Sequence, residues 1–205
     1  MNQTFLRLPF VIVLLLSLPA LAWAAGVAAP VPKTGQTTQY AVADDGVYAA
    51  TKGAAWPNPR FTNTNNGVVT DNLTGLIWLK NANCFGRMTW APALTAVKTL
   101  QSGACGLTDG SALGEWRLPS KKELESLVAS QYVYPVLSNT VGTGPWTAGD
   151  PFTGVRSNQW YDDYWSSTTV AEVTTHAWVV LFGDGSVLAY NKLGLGSVWP
   201  VRGGQ

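Results

Sequence analysis

Apolar residues recur at helical spacing in only two short stretches of this 205-residue chain. Between and beyond them the sequence is punctuated by turn formers, with 21 glycines and 12 prolines, so long regular elements have no room to form. The first stretch opens at Thr89, which can cap a helix through about Gln101 with Leu94, Val97 and Leu100 on one side. The second opens with Ser120-Lys121-Lys122-Glu123, a capping box in which Ser and Glu satisfy each other's free backbone N–H groups. Leu124, Leu127 and Val128 continue it as an apolar stripe, and Lys121 faces Glu125 one turn on. Short strand patterns occupy the rest: Val68–Thr70, Leu76–Leu79, Tyr164–Thr168, His176–Phe182, Ser186–Tyr190 and Val198–Arg202. Asn63–Gly67 and Asp71–Gly75 read as turns, and Gly183-Asp184-Gly185 closes a hairpin. Pro200 marks the last strand as an edge or bulged one. Residues 138–160, rich in Gly, Thr, Asn and Pro, read as a long ordered loop, a length that usually serves function. The expected class is α+β: two helices with small antiparallel sheets, long loops and a C-terminal β-hairpin. Trp78, Trp116, Trp165, Trp178 and Trp199 sit in the strand-like motifs and are read as core.

The N-terminus reads as an address. Arg7 precedes an apolar run from Leu8 to Leu21, and Ala20–Ala25 offers A-x-A exits, the pattern of a secretory signal peptide over residues 1–24. Cleavage is expected after Ala24, with Ala22 the second choice. Residues 25–58, rich in Ala, Pro, Thr, Gly and Gln, read as a segment loosely ordered or laid against the domain formed by 59–205. The destination is then secreted, periplasmic or cell-surface, with membrane contact only through the signal peptide before its removal. In an oxidising compartment the two cysteines, Cys84 and Cys105, are expected to pair.

Charge narrows the function classes. With 13 basic and 12 acidic side chains and no basic block, nothing favours nucleic acid. One histidine and two cysteines fall short of a four-ligand zinc site. No catalytic residue is expected: His176 is the only imidazole, no G-x-S-x-G elbow exists, Glu123 serves a cap and Glu125 a helix surface. Binding remains. Trp160, Tyr161, Asp162 and Asp163 combine aromatic faces with hydrogen-bond acceptors, and the hairpin adds His176, Asp184, Tyr190, Asn191 and Lys192. These nine are the candidate ligand-binding residues, and a glycan or protein ligand at a cell surface is the expected partner.

The segments PKTGQT (32–37), WPNPRFT (56–62), VTDNLTGLIWLKNANC (69–84), WRLPSKKEL (116–124), YWSST (164–168) and VWPVRGG (198–204) together resemble the Lcl C-terminal domain family, named after a Legionella collagen-like surface protein. The resemblance implies an adhesion-type envelope role and a C-type-lectin-like fold, shared with formylglycine-generating enzymes. The cysteine pair those enzymes use lies near their C-terminus, so that activity is not carried over to Cys84 and Cys105. The calcium-binding strings of C-type lectins, E-P-N or Q-P-D followed by W-N-D, do not occur, and Trp160–Asp163 is a weak match. The family's D-N-G-D-G-T turn is replaced by Asn63–Val68 without carboxylates. No cofactor is therefore expected, with a structural calcium the one left open. The collagen-like protein's link to glycosaminoglycans implies sulfated polysaccharides, but a chain of near-zero charge lacks the basic patch a polyanion wants. No Gly-x-y repeat occurs in this sequence, and homo-oligomerisation stays open.

Overall fold

The structure is a computed structural model and describes residues 31–48, 53–157 and 162–203. It is an α+β fold of two small sheets, in the element order α1 (Asp45–Tyr48), β1 (Phe61–Asn63), β2 (Val68–Asp71), β3 (Ile77–Leu79), β4 (Arg87–Met88), α2 (Trp90–Ala96), α3 (Lys121–Ser126), β5 (Asp163–Thr169), β6 (His176–Leu181), β7 (Val187–Asn191), β8 (Gly196–Ser197) and β9 (Val201–Arg202). The first sheet runs β1-β2-β3-β9 and is antiparallel throughout. The second runs β4-β8-β5-β6-β7 and is antiparallel except where β8 lies parallel to β5.

The helix signals differ in strength, and the structure follows them. Ser120 accepts from the Glu123 N–H while Glu123 accepts from the Ser120 N–H, the reciprocal cap read from the sequence. Leu124 and Leu127 are buried beneath it and Lys121 pairs with Glu125 at 3.0 Å. The first helix is shorter than expected. It ends at Ala96 and tightens into a 3₁₀ turn over Val97–Thr99, and Thr89 stands at its start without a side-chain cap bond. Lacking that cap, it is held by packing, with Ala93 and Val97 buried.

Alternation along β5 and β6 sends side chains into a core on each face of the second sheet, while the edge strand β7 stays largely exposed. Tyr164, Val180 and Phe182 join Leu124, Leu127, Phe61, Trp78, Phe152 and Trp199 in the larger core, which also takes the first sheet. Trp165, Ala177, Val179 and Leu181 meet Ala93, Val97 and Val198 in a smaller core on the other face. Trp199 is the hub, with ring centroids 4.9 Å from Phe152, 5.3 Å from Tyr164 and 5.5 Å from Trp78 and Phe182. Its indole N–H donates to the Leu79 carbonyl at 2.8 Å, so its polar edge is satisfied inside the core.

Two readings are corrected. The single terminal strand over Val198–Arg202 is two strands in different sheets, because Val198-Trp199-Pro200 carries the chain from β8 to β9. Pro200 has no N–H to give a ladder, and only its carbonyl takes part, accepting from Leu79 at 3.1 Å. Trp178, within β6, is half-buried rather than core, with the Lys121 ammonium of α3 covering its ring at 4.9 Å. Trp78, Trp116, Trp165 and Trp199 are fully buried.

The disulfide joins Cys84 to Cys105 across a sequence separation of 21. Segment 31–58, where described, is laid against the domain. Pro32 bridges Ala54, the Ser130 N–H donates to the Thr34 carbonyl at 3.2 Å, and the Trp56 indole donates to the Lys33 carbonyl at 2.8 Å.

Candidate functional site

Of the seven described residues among those picked from the sequence, His176, Tyr190, Asn191 and Lys192 share one end of the β6–β7 hairpin, while Asp162, Asp163 and Asp184 lie elsewhere. Trp160 and Tyr161 lie outside the described residues. Asp162 and Asp163 are buried and engaged by different arginines, Asp162 by Arg156 at 2.7 Å and Asp163 by Arg87 at 2.9 Å. Burial raises the Asp163 carboxyl above its usual range, and the Arg87 charge only partly offsets it. Asp184 is exposed in the β6–β7 turn, where it accepts from the Ser186 N–H. The strand rise puts Asn191 and Lys192 roughly 17 Å from it, at the other end of the hairpin. There His176 stands opposite Asn191, with its Nδ1 3.0 Å from the Thr175 hydroxyl. Asn191 accepts from the Leu193 N–H, and Lys192 donates to Thr169 and the Thr174 carbonyl while covering the Trp90 ring at 3.9 Å. Tyr190 packs on Trp165 at 5.4 Å. The polar groups of this hairpin are largely occupied by their own neighbours.

A concavity of ligand size lies elsewhere. A cleft of about 490 Å³ opens between the N-terminal strap and the body, lined by Lys33, Gly35–Thr38, Tyr40, Ala55, Trp56, Gln131, Tyr132, Gly142 and Thr143. That volume is in the range of small-ligand sites. Three devices build it. Arg60 is buried with Asp71 in a two-pronged pair at 2.9 Å, and its guanidinium supports the Trp56 ring at 4.6 Å. Asn139 then shapes the far wall, since its side-chain oxygen accepts from the N–H groups of Gly142, Thr143 and Gly144. Gly142 has φ +89° and sits where a Cβ would come within 2.9 Å of the Arg60 Cβ, so a side chain there would push the loop off the body. On the strap, the Asp44 carboxylate accepts from the Tyr40 and Ala41 N–H groups and from the Gln36 amide, which fixes Gln36 and Tyr40 at the rim. The Tyr40 N–H is the largest influence holding Asp44 below the ordinary carboxylate range.

The chemistry of the lining is mixed. Tyr40, Trp56 and Tyr132 give ring faces, with Tyr40 79% exposed, while Thr37, Thr38 and Thr143 give hydroxyls and Gln36 and Gln131 give amides. The Gln131 amide and the Tyr132 hydroxyl make no hydrogen bond within the described residues. Burial raises the Tyr132 phenol further above neutrality, so it keeps its proton. The lining carries no carboxylate, and among the described residues no three His, Cys, Asp or Glu side chains converge as a metal site would require.

Sequence reasoning missed this cleft because its walls lie about a hundred residues apart in the chain. The signals available were the motifs around Lys33–Thr37 and Trp56 and the expectation that the 138–160 loop is functional.

Residues 67–202 match the family described as the Lcl C-terminal domain. No curated protein matches the chain. The strap wall, Lys33 to Trp56, lies outside the matched region, whereas Gln131, Tyr132, Gly142 and Thr143 lie within it.

Proposed function

We propose that this chain, which belongs to the Lcl C-terminal domain family, is an exported recognition domain that seats a glycan or protein ligand of a cell surface in the cleft between its strap and its 138–157 loop. The carrying observation is the convergence of three aromatic rings, one of them the exposed Tyr40, with the unbonded Gln131 amide and Tyr132 phenol and threonine hydroxyls on one concavity. No catalytic step, cofactor or metal belongs to the proposal. Export is supported by the signal-like pattern of residues 1–24 and by the Cys84–Cys105 bridge, which suits an oxidising destination. A C-type-lectin-like fold is also part of the reading, supported by β9 returning beside β3 so that both ends of the domain share a sheet.

The test is binding of the labelled full chain to immobilised surface polysaccharides and proteins, compared with Thr143→Trp. Thr143 is exposed, so the indole fills the cleft without entering the core. Lost binding at an unchanged unfolding midpoint is expected. Wild-type binding by the variant would sink the cleft as the site.

One observation favours a second reading, a structural envelope or appendage component. The edge strand β7 and the loop after it expose Leu188, Tyr190, Leu193 and Leu195. Sedimentation velocity decides it: assembly dispersed by Leu188→Lys but indifferent to Thr143→Trp would support that role instead.

A further inference from the structure

We infer that the cleft takes a neutral, hydroxyl-rich ligand, sugar units carrying neither sulfate nor carboxylate, and that the strap outside the family-matched region determines which sugar is accepted. The inference rests on the cleft reading above and adds the ligand's chemistry.

Charge is the first argument. Lys33 is the sole cationic side chain in the lining. Arg60, Arg87, Arg117, Arg156 and Arg202 each face a carboxylate within 2.9 Å or less, so the body has no arginine cluster to turn toward a polyanion. A cationic ligand would find no carboxylate in the lining.

Hydrogen-bond capacity is the second. The threonine hydroxyls and the Tyr40 and Tyr132 phenols can each donate and accept, and the Gln131 amide does both at its two ends. Such groups match sugar hydroxyls, which also do both. A proline-rich peptide offers chiefly acceptors and leaves half of that capacity unused. A ring supplies the rest: exposed Tyr40 presents a planar face to which the C–H face of a pyranose can stack, with the half-buried Trp56, backed by Arg60, as the wall beside it.

The strap's role follows from where those groups sit in the chain. Gln36, Thr37, Thr38, Tyr40 and Trp56 come from the strap, and its close approach at Gly35 places Trp56 beside Gln131. A Cβ on Gly35 would come within 2.9 Å of the Trp56 ring and 3.3 Å of the Gln131 amide.

The experiment is titration calorimetry and saturation-transfer NMR on the full chain. The probes are neutral gluco-, manno- and N-acetylglucosamine oligosaccharides, sulfated heparin oligosaccharides and a proline-rich peptide, each at low and high salt. Saturable binding to a neutral series, insensitive to salt, is expected. Tyr40→Ala and Gln131→Leu should each weaken it roughly tenfold or more. Tyr40 is exposed, so loss of fold does not confound that variant. Preference for the heparin probe with steep loss in salt overturns the inference, as does binding of the peptide alone or of no neutral series. If Thr143→Trp still abolishes capture of native surface material in those cases, the cleft reading survives and only the ligand class falls. Neutral-sugar binding untouched by both Tyr40→Ala and Thr143→Trp overturns the cleft as the site, and with it the inference that the cleft takes that sugar.

Discussion

Replacing Asp71 by Asn tests how the cleft is held. Arg60 and Asp71 are fully buried, and the Asp71 carboxylate accepts from Arg60 Nε and Nη2, the Leu73 N–H and the Thr74 hydroxyl. Arg60 also donates to the Ser126 carbonyl at the end of α3. The Asn amide keeps the shape and removes the charge, leaving a guanidinium with no counter-ion in the core. Breaking a buried pair from one side costs about 3–5 kcal/mol, because the remaining charge stays desolvated. For a domain of this size that lowers the melting temperature by roughly 6–20 °C. Urea unfolding with the disulfide intact measures it, and an unchanged m-value shows that the cost is in the folded state. The double variant Arg60→Leu/Asp71→Leu should lose less than the single change, since no lone charge is left. Because Arg60 supports Trp56, ligand affinity should fall in Asp71→Asn even well below its melting temperature. An Asp71→Asn protein within about 1 kcal/mol of wild type would refute the reasoning, since surface pairs are worth no more than that.

Four further outcomes are expected. Cys84→Ser/Cys105→Ser should destabilise the chain by roughly 3 kcal/mol, the chain-entropy value for a loop this long, read as a shifted urea midpoint under non-reducing conditions. Ser120→Ala should cost about 1 kcal/mol through the lost cap. Burial opposes the Glu123 charge, yet Arg117 and the Ser120 N–H hold its carboxyl below the usual range. A depressed folded value means stability present above the ordinary carboxylate range and lost as pH falls through the lower one. Stability of wild type should therefore drop in acid more than that of Glu123→Gln, and parallel curves would contradict this. Finally, mass spectrometry of protein exported by a bacterial host should show a chain beginning at Ala25; an intact residue 1–24 segment would refute the signal-peptide reading.

The local elements were legible because their causes are local. The Ser120–Glu123 cap, the Asn63–Gly67 turn and the β6–β7 hairpin each arise from a few adjacent residues, and they stand where those residues are. The α+β class, the pairing of the only two cysteines and the burial of Trp78, Trp116, Trp165 and Trp199 follow from composition and order in the same way. The charged candidates make partners within the fold that the sequence did not indicate. A carboxylate in a sequence looks available, but Asp162 and Asp163 are each taken by an arginine, and Lys192 is folded onto Trp90. Arg156 lies only six residues from Asp162, but the neutralisation of Asp163 is a long-range event that no short window of sequence contains. Arg87 meets Asp163 across 76 residues, and β8 and β9 part company only because each finds its partner in a different sheet. The cleft belongs to the same category. Trp56, Gln131 and Thr143 line one cleft only once Arg60 is buried against Asp71 and Asn139 has gathered the 142–144 backbone, so the tertiary structure alone decides where that cleft lies.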